Sequence, residues 1–268
     1  MSAEGKHVSD ISAQLRAAGV DWIVPDWDAP AGVHAFFTTR NGGSGDAGSL
    51  DLGPGDVASV PPATRAAIVA NRSRVQAFLP SLPLWLDQVH GADVVAVDAD
   101  ATRARALPRA DAAVTRASGV VLAVRVADCL PVLLCDRAGT TIGVAHAGWR
   151  GMAAGVIENT VAAMACEPAA IGAWLGPAIG PSAFEVGPEV RDAFVAADDE
   201  SARAFLRARA GKWLADLYGL ACRRLARAGV ERVSGIRECT FSDARRFFSY
   251  RRDGPTGRMG AFIWRTAP

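Results

Sequence analysis

The chain has 268 residues, half of them hydrophobic and 21% charged, enough to bury a sizeable core. A formal net charge of +1 sets up no global field for nucleic acid or an anionic membrane, and no apolar run reaches the ~20 residues of a membrane helix. Five cysteines, an odd number without a CxxC pair, argue against a disulfide framework, so the expectation is a cytoplasmic protein that engages neither nucleic acid nor membrane.

In chain order, residues 1–20 read as a peripheral segment in which Ile11, Leu15 and Ala18 hint at a short amphipathic helix. Residues 33–39 (V-H-A-F-F-T-T) predict a strand. Residues 40–55 predict a turn-rich loop with six glycines, a natural element to face a ligand. A helix is expected over 64–79 with Thr64 as its N-cap. Strands at 84–89 and 92–97 flank His90-Gly91, which predicts a sharp bend or hairpin there. Runs at 120–126, 131–135 and 141–145, rich in Val, Leu and Ile, predict three more strands joined by short turns. The clearest helix covers 152–165, where Val156, Thr160, Ala163 and Met164 recur at helical spacing. A strand at 171–175, helices at 188–197 and 201–228 (the second open to interruption), and a strand at 258–264 complete the chain. Because regular βαβ alternation is missing, the fold class expected is α+β, with one domain over 21–268.

Three residues stand out for chemistry. His90, Cys129 and His146 each end a strand-like apolar run, in L-W-L-D-Q-V-H-G, V-A-D-C-L-P and G-V-A-H-A-G-W-R-G. Two imidazoles and one thiolate suit zinc, and three protein ligands leave a fourth tetrahedral position open, as catalytic sites do. Each also has a structural reading when taken alone: Cys129 as a buried thiol, His90 as a turn histidine. Their separations match no short metal motif, so any joint site must be assembled by the fold. Gly148 and Gly151 open the backbone before the 152–165 helix, which reads either as an anion site aided by Arg150 or as a tight strand-to-helix connection around Trp149. Arg40 ends a strand at the glycine-rich loop. Arg245, Arg246, Arg251 and Arg252 alternate with Phe247, Phe248 and Tyr250, a pattern that suits either a solvated surface or a pocket that stacks a base and holds an anion. Asp128, beside the cysteine, reads as a turn cap or as a group that orients a ligand.

Several segments then fall into one pattern: F-F-T-T-R-N-G-G, W-L-D-Q-V-H-G-A-D-V, R-A-D-A-A-V-T, A-D-C-L-P-V-L-L-C-D, A-H-A-G-W-R-G, W-L-G-P-A-I-G-P-S-A-F-E-V-G-P-E-V and F-F-S-Y-R-R-D-G-P-T-G-R-M-G. Together they resemble the YfiH family, also called the laccase-domain or polyphenol oxidase family, from about Val33 to Trp264. The resemblance implies a single α+β domain with a mixed β-sandwich flanked by helices. It implies zinc at His90, Cys129 and His146, with copper as the alternative metal. It also implies purine nucleoside phosphorolysis (adenosine, inosine, guanosine, methylthioadenosine) and adenosine deamination, so the partners expected are a purine nucleoside and phosphate. For the phosphate, Arg40, Gly148, Arg150 and Arg251 are the candidates.

Other activities compete. Some family members are described as copper-dependent phenol oxidases, and a blue-copper centre could use two histidines and a cysteine. A second, multinuclear copper cluster would need many more imidazoles, and only His7 and His34 remain. A metal-free cysteine hydrolase acting on a cell-wall precursor would use Cys129 as nucleophile with His146 or His90 as base. A non-enzymatic nucleotide-sensing module would leave the trio vestigial. The oligomeric state is left open.

Overall fold

The computed structural model describes residues 11–98 and 107–267. Its elements run in the order α1 (Ile11–Ala17), β1 (Val33–Phe37), α2 (Pro62–Gln76), β2 (Pro83–Leu84), β3 (Val94–Val97), β4 (Ala112–Thr115), β5 (Val121–Val126), β6 (Leu130–Asp136), β7 (Ile142–Ala147), α3 (Trp149–Ala153), α4 (Val156–Met164), β8 (Ile171–Leu175), β9 (Glu185–Val186), α5 (Pro188–Val195), β10 (Phe205–Arg207), β11 (Trp213–Ala215), α6 (Leu217–Arg227), β12 (Arg232–Gly235), α7 (Tyr250–Asp253) and β13 (Met259–Arg265). No helix among the described residues is long and apolar enough to cross a membrane.

Two mixed sheets form a sandwich. One has the order β1-β13-β5-β2, the other β12-β8-β6-β7-β4-β3, and a small third sheet has the order β10-β11-β9. Every residue of β5, β6 and β7 is buried, so these strands read as continuous apolar runs rather than as polar–apolar alternation. Alternation instead divides their side chains between two cores. Leu133 and Cys135 of β6 face inward and meet Leu122, Val124, Phe37 and Ile263 of the four-stranded sheet. Val132 and Leu134 face outward, against Val156, Ile157 and Val161 of α4 and Leu217, Leu220 and Leu225 of α6. The outer face of the four-stranded sheet carries Phe36, Val121 and Phe262, covered by Ile11 and Leu15 of α1 and Val75 of α2. The result is the α+β sandwich with flanking helices that the sequence predicts.

Local departures have physical causes. The strand expected over 84–89 stops at Leu84. Past it, Gln88 replaces the backbone ladder: its Oε1 accepts from Arg125 N at 2.9 Å and its Nε2 donates to Arg125 O at 2.9 Å. No hairpin forms at His90-Gly91, because β2 joins the four-stranded sheet and β3 the six-stranded one. The bend is the crossover between sheets, and His90 takes φ 61°, uncommon for a residue with a side chain. Helix α2 starts at Pro62, whose ring suits the first helical position, and not at an N-cap Thr64. The expected 152–165 helix is two helices, broken at Gly155 with φ 97°. The expected 201–228 helix is an α-helix only from Leu217, with a 3-10 turn over Asp199–Ala204 ahead of it. Before it, β10 and β11 pair antiparallel around a turn with positive φ at Ala210 and Gly211, which an unbroken helix cannot contain. Asp216 starts α6 by accepting from Gly219 N at 3.0 Å.

Candidate metal centre

The trio assembles where three connections meet at one end of the sandwich. Strands β6 and β7 are antiparallel with Leu130 opposite Ala147 and Pro131 opposite His146. The next step of that register sets Cys129, just before β6, beside Gly148, just after β7. A Cβ on Gly148 would stand 2.8 Å from Cys129 Sγ and 3.2 Å from His90 Cδ2, so glycine here makes room for the two side chains. The sheet crossover brings in His90 from the other side. Likewise, a Cβ on Gly151 would stand 2.6 Å from Gly91 O, so that glycine lets α3 lie directly on the crossover.

The three donors converge. Cys129 Sγ lies 3.8 Å from His90 Nε2, the two imidazole centroids are 4.8 Å apart, and one donor atom from each residue lies within 4.8 Å of the others. This is the one such group of three His, Cys, Asp or Glu residues among the described residues. His146 is buried, Cys129 half-buried and His90 exposed, so the site opens to solvent on the His90 side.

Asp111 organises the centre, and the sequence reading gave it no role. Its carboxylate is fully buried. Oδ1 accepts from His146 Nδ1 at 2.7 Å and His90 N at 3.0 Å, and Oδ2 accepts from Val89 N at 3.1 Å and Gly91 N at 2.7 Å. One side chain therefore fixes the crossover and commits His146 Nδ1, leaving Nε2 for the centre. Burial opposes its charge, but the His146 bond and charge and the Gly91 and Val89 N–H groups outweigh burial and hold it below the usual carboxylate range. The available signal was A-D-A-A-V-T, a carboxylate entering an apolar run, which must find partners if buried.

The same coupling acts on the other two groups. Burial would raise the Cys129 thiol, but the charge of His146 and hydrogen bonds from His146 and His90 lower it to about 6. Burial would lower His146, but the Cys129 thiolate and the Asp111 carboxylate raise it to about 9. Without a metal, these opposing shifts favour a thiolate beside an imidazolium between about pH 6 and pH 9.

The donor set fits zinc. With a Zn–S bond of about 2.3 Å and Zn–N bonds of about 2.05 Å, tetrahedral angles place sulfur and nitrogen about 3.6 Å apart. The 3.8 Å between Cys129 Sγ and His90 Nε2 needs only a small closure.

The remaining sequence candidates divide. Asp128 sits beside Cys129 with φ 92°, and its carboxylate is bonded to the 240–251 segment. It accepts from Thr240 Oγ1 at 2.6 Å, Ser249 Oγ at 3.0 Å and Arg251 N at 2.7 Å, clamping the 240–251 segment to the root of β6. Arg251 is tied to the site by its backbone, while its Nη1 turns to Glu185 O at 2.7 Å. Arg40 Nη1 donates to Ala244 O at 3.0 Å and its guanidinium covers Phe248. Arg150 is exposed and lies over Trp149. The helix expected over 152–165 behind the Gly148 turn is α3, Trp149–Ala153, followed by α4, Val156–Met164, so the helix that directly follows the turn is short. Phe247 and Phe248 are buried in the core, Arg252 is spent on the carbonyls of Thr240, Phe241 and Phe247, and Tyr250 is exposed. His34, in β1, stacks on Trp264, and His7 lies outside the described residues.

Comparison with known proteins places these features in a family. The family model described as multi-copper polyphenol oxidoreductase laccase matches residues 34–266. A protein of Escherichia coli named purine nucleoside phosphorylase YfiH is 50% identical over 248 residues, covering 90% of this chain and 98% of that protein. A purine nucleoside phosphorylase of Streptomyces coelicolor is 39% identical over 243 residues, covering 88% and 97%. Among solved structures, a Neisseria meningitidis protein of family DUF152 superposes with a TM-score of 0.83 at 47% identity, covering 92% of this chain and 100% of that one. YlmD from Geobacillus stearothermophilus superposes with a TM-score of 0.79 at 34% identity, covering 88% and 93%.

Proposed function

The chain belongs to the multi-copper polyphenol oxidoreductase laccase family, the YfiH family, and we propose that it is a zinc-dependent purine nucleoside phosphorylase that also deaminates adenosine. The observation that carries the reading is the convergence of His90, Cys129 and His146 within 4.8 Å, in a chain half identical to a relative named for phosphorolysis. His90, Cys129 and His146 would hold zinc, which would supply a Lewis acid at this site. Asp111 holds His146 by its Nδ1, so the imidazole presents Nε2. His90, exposed on the rim, is the member of the trio that a nucleoside meets first. Phosphorolysis breaks the glycosidic C–N bond and forms a bond from C1′ to a phosphate oxygen, which requires cationic donors near the sugar. Arg150 is our first candidate, being exposed and two residues past the Gly148 contact. Arg40, Arg251 and the Gly148 backbone complete the phosphate-binding set we propose. Residues 21–268 are taken as one catalytic domain acting in the cytoplasm.

The test is direct. Purified protein should release hypoxanthine from inosine only when phosphate is present, and ammonia from adenosine. Chelation should abolish both activities, zinc should restore them, and Cys129→Ala should lose them. Activity of Cys129→Ala in chelator would end the metal reading; phosphorolysis without ammonia would remove only the deaminase part. Metal analysis of the same preparation discriminates zinc from copper. Stoichiometric copper with phenol turnover would favour the oxidase alternative, which the donor set also suits.

One observation favours a second reading. Asp111, His146 and Cys129 stand as carboxylate, imidazole and thiolate in sequence, an arrangement that activates a cysteine nucleophile. A metal-free hydrolase would show fast stoichiometric alkylation of Cys129 by iodoacetamide together with amide hydrolysis in chelator, whereas a zinc-bound thiolate is protected.

A further inference from the structure

A histidine that ligates a metal normally has its second ring nitrogen held by a neighbouring acceptor, which fixes the aim of the ring. His146 follows this rule, with Nδ1 committed to Asp111 at 2.7 Å. His90 does not. Among the described residues its ring has one hydrogen-bond partner, Cys129 Sγ, on the Nε2 side. The aim of His90 is therefore set by the backbone that carries it. That backbone takes φ 61°, a conformation that a residue with a Cβ keeps only where its surroundings impose it.

The three ligands form a triangle, and two of its edges have a fixed tie. The β6–β7 register sets the Cys129 segment against His146. Asp111 ties His146 to the 89–91 turn. On the third edge, from His90 to Cys129, the tie is one side chain. Gln88 stands two residues before His90, and Arg125 four residues before Cys129. Gln88 Oε1 accepts from Arg125 N and Gln88 Nε2 donates to Arg125 O, each at 2.9 Å. A backbone N–H can only donate and a carbonyl can only accept, so this pairing needs a side chain that offers both roles at once. A primary amide does so, and a carboxylate does not. Arg125, which is buried, also grips the segment with its side chain, since Nη2 donates to Leu86 O at 2.7 Å. A Cβ on Gly55 would stand 2.7 Å from that same oxygen, so glycine leaves room for the grip.

We propose that Gln88 is a positioning residue of the metal centre: its two hydrogen bonds to Arg125 hold His90 at the separation from Cys129 at which both can bind one ion. The proposal rests on the zinc reading given above, and not on which reaction the zinc serves. The Gln88 amide is spent on Arg125, so it acts through His90 and is not itself a ligand. The rival role is that of a strut, in which Gln88 merely satisfies the buried Arg125 backbone past the end of β2. The two roles differ in a double-mutant cycle, because a residue that acts through His90 has nothing left to act on once the imidazole is removed.

The experiment measures zinc affinity of the full chain by competition with a chromophoric chelator, in the wild type, Gln88→Ala, His90→Ala and the double variant. Urea unfolding of each metal-free protein corrects the affinity to its folded fraction. Gln88→Ala should weaken zinc binding by about tenfold or more when His90 is present, the scale of an outer-shell partner. With His90 already alanine, the same change should weaken it by less than about twofold. Equal losses in the two backgrounds, or no loss from Gln88→Ala while His90→Ala loses affinity, would overturn the proposal and leave Gln88 a strut of β5. Should Gln88→Ala not fold, Gln88→Glu takes its place. It keeps the length and the acceptor for Arg125 N but sets an oxygen against Arg125 O, and the same pattern is expected. His90→Ala with undiminished zinc affinity would overturn the three-ligand centre itself, a result distinct from failure of the Gln88 tie alone.

Discussion

At the scale of single residues, Asp111 decides how well the centre is made. It serves four donors with two oxygens, and no other buried carboxylate among the described residues is shown to hold both a histidine and three successive backbone N–H groups. Asp111→Asn keeps the shape but turns an NH₂ toward donors, so zinc affinity should fall by roughly 10–100-fold in a chelator competition; unchanged affinity would mean that His146 orients itself. Protons compete for the same atoms. His146 is raised to about 9 and Cys129 lowered to about 6 in the metal-free protein. Zinc must displace the proton that His146 carries below about 9, and more protons once Cys129 also titrates near 6. Apparent zinc affinity should therefore rise with pH by about tenfold per unit from pH 6 to pH 9 and fall more steeply on acidification. A flat profile over that window would contradict the ion-pair description. Cys129 and His146 were legible in the sequence because each ends an apolar run within two residues of glycine, proline or aspartate. Asp111 was not, because its partner lies 35 residues away and only the β4–β7 pairing brings them together.

At the scale of elements, the buried strands were the easiest to read. Strands β5, β6 and β7 are covered on both faces, so hydrophobicity alone marks them. The hairpin of β10 and β11 was hidden, since an Ala- and Arg-rich stretch has good helix propensity and the turn residues at 210–211 were outweighed by it. Segment 84–91 misled for another reason: its ladder partner is the side chain of Gln88, and side-chain pairing leaves no period in the sequence. The clamp from Asp128 to the 240–251 segment is an element-scale device of the same hidden kind, joining positions more than 110 residues apart. Asp128→Ala strands two buried hydroxyls and one N–H, so unfolding in urea should show a loss of about 2–4 kcal/mol. Because the carboxylate is spent on Thr240, Ser249 and Arg251, zinc affinity in the folded fraction should change little; a collapse of affinity with normal stability would assign Asp128 to the centre instead.

At the scale of the molecule, the sandwich and the centre are one construction. The crossover carrying His90 links the two sheets, and Cys129 and His146 lie where β6 begins and β7 ends, so a metal bound by all three would staple the end of the sandwich. Zinc should therefore stabilise the whole fold, by about 2.7 kcal/mol at a free concentration 100 times its Kd. The melting temperature should rise with zinc in the wild-type chain and stay fixed in Cys129→Ala. A core substitution outside the trio, Leu133→Ala, should lower both melting curves by a similar amount, its cost being about 2–5 kcal/mol, while the zinc-dependent increment survives. The claim on which all of this rests is met most directly by zinc-edge X-ray absorption of the loaded protein. One sulfur at about 2.3 Å with nitrogen or oxygen neighbours at about 2.0–2.1 Å, the sulfur vanishing in Cys129→Ser, is the result expected; a shell without sulfur, or one that Cys129→Ser leaves unchanged, would contradict it.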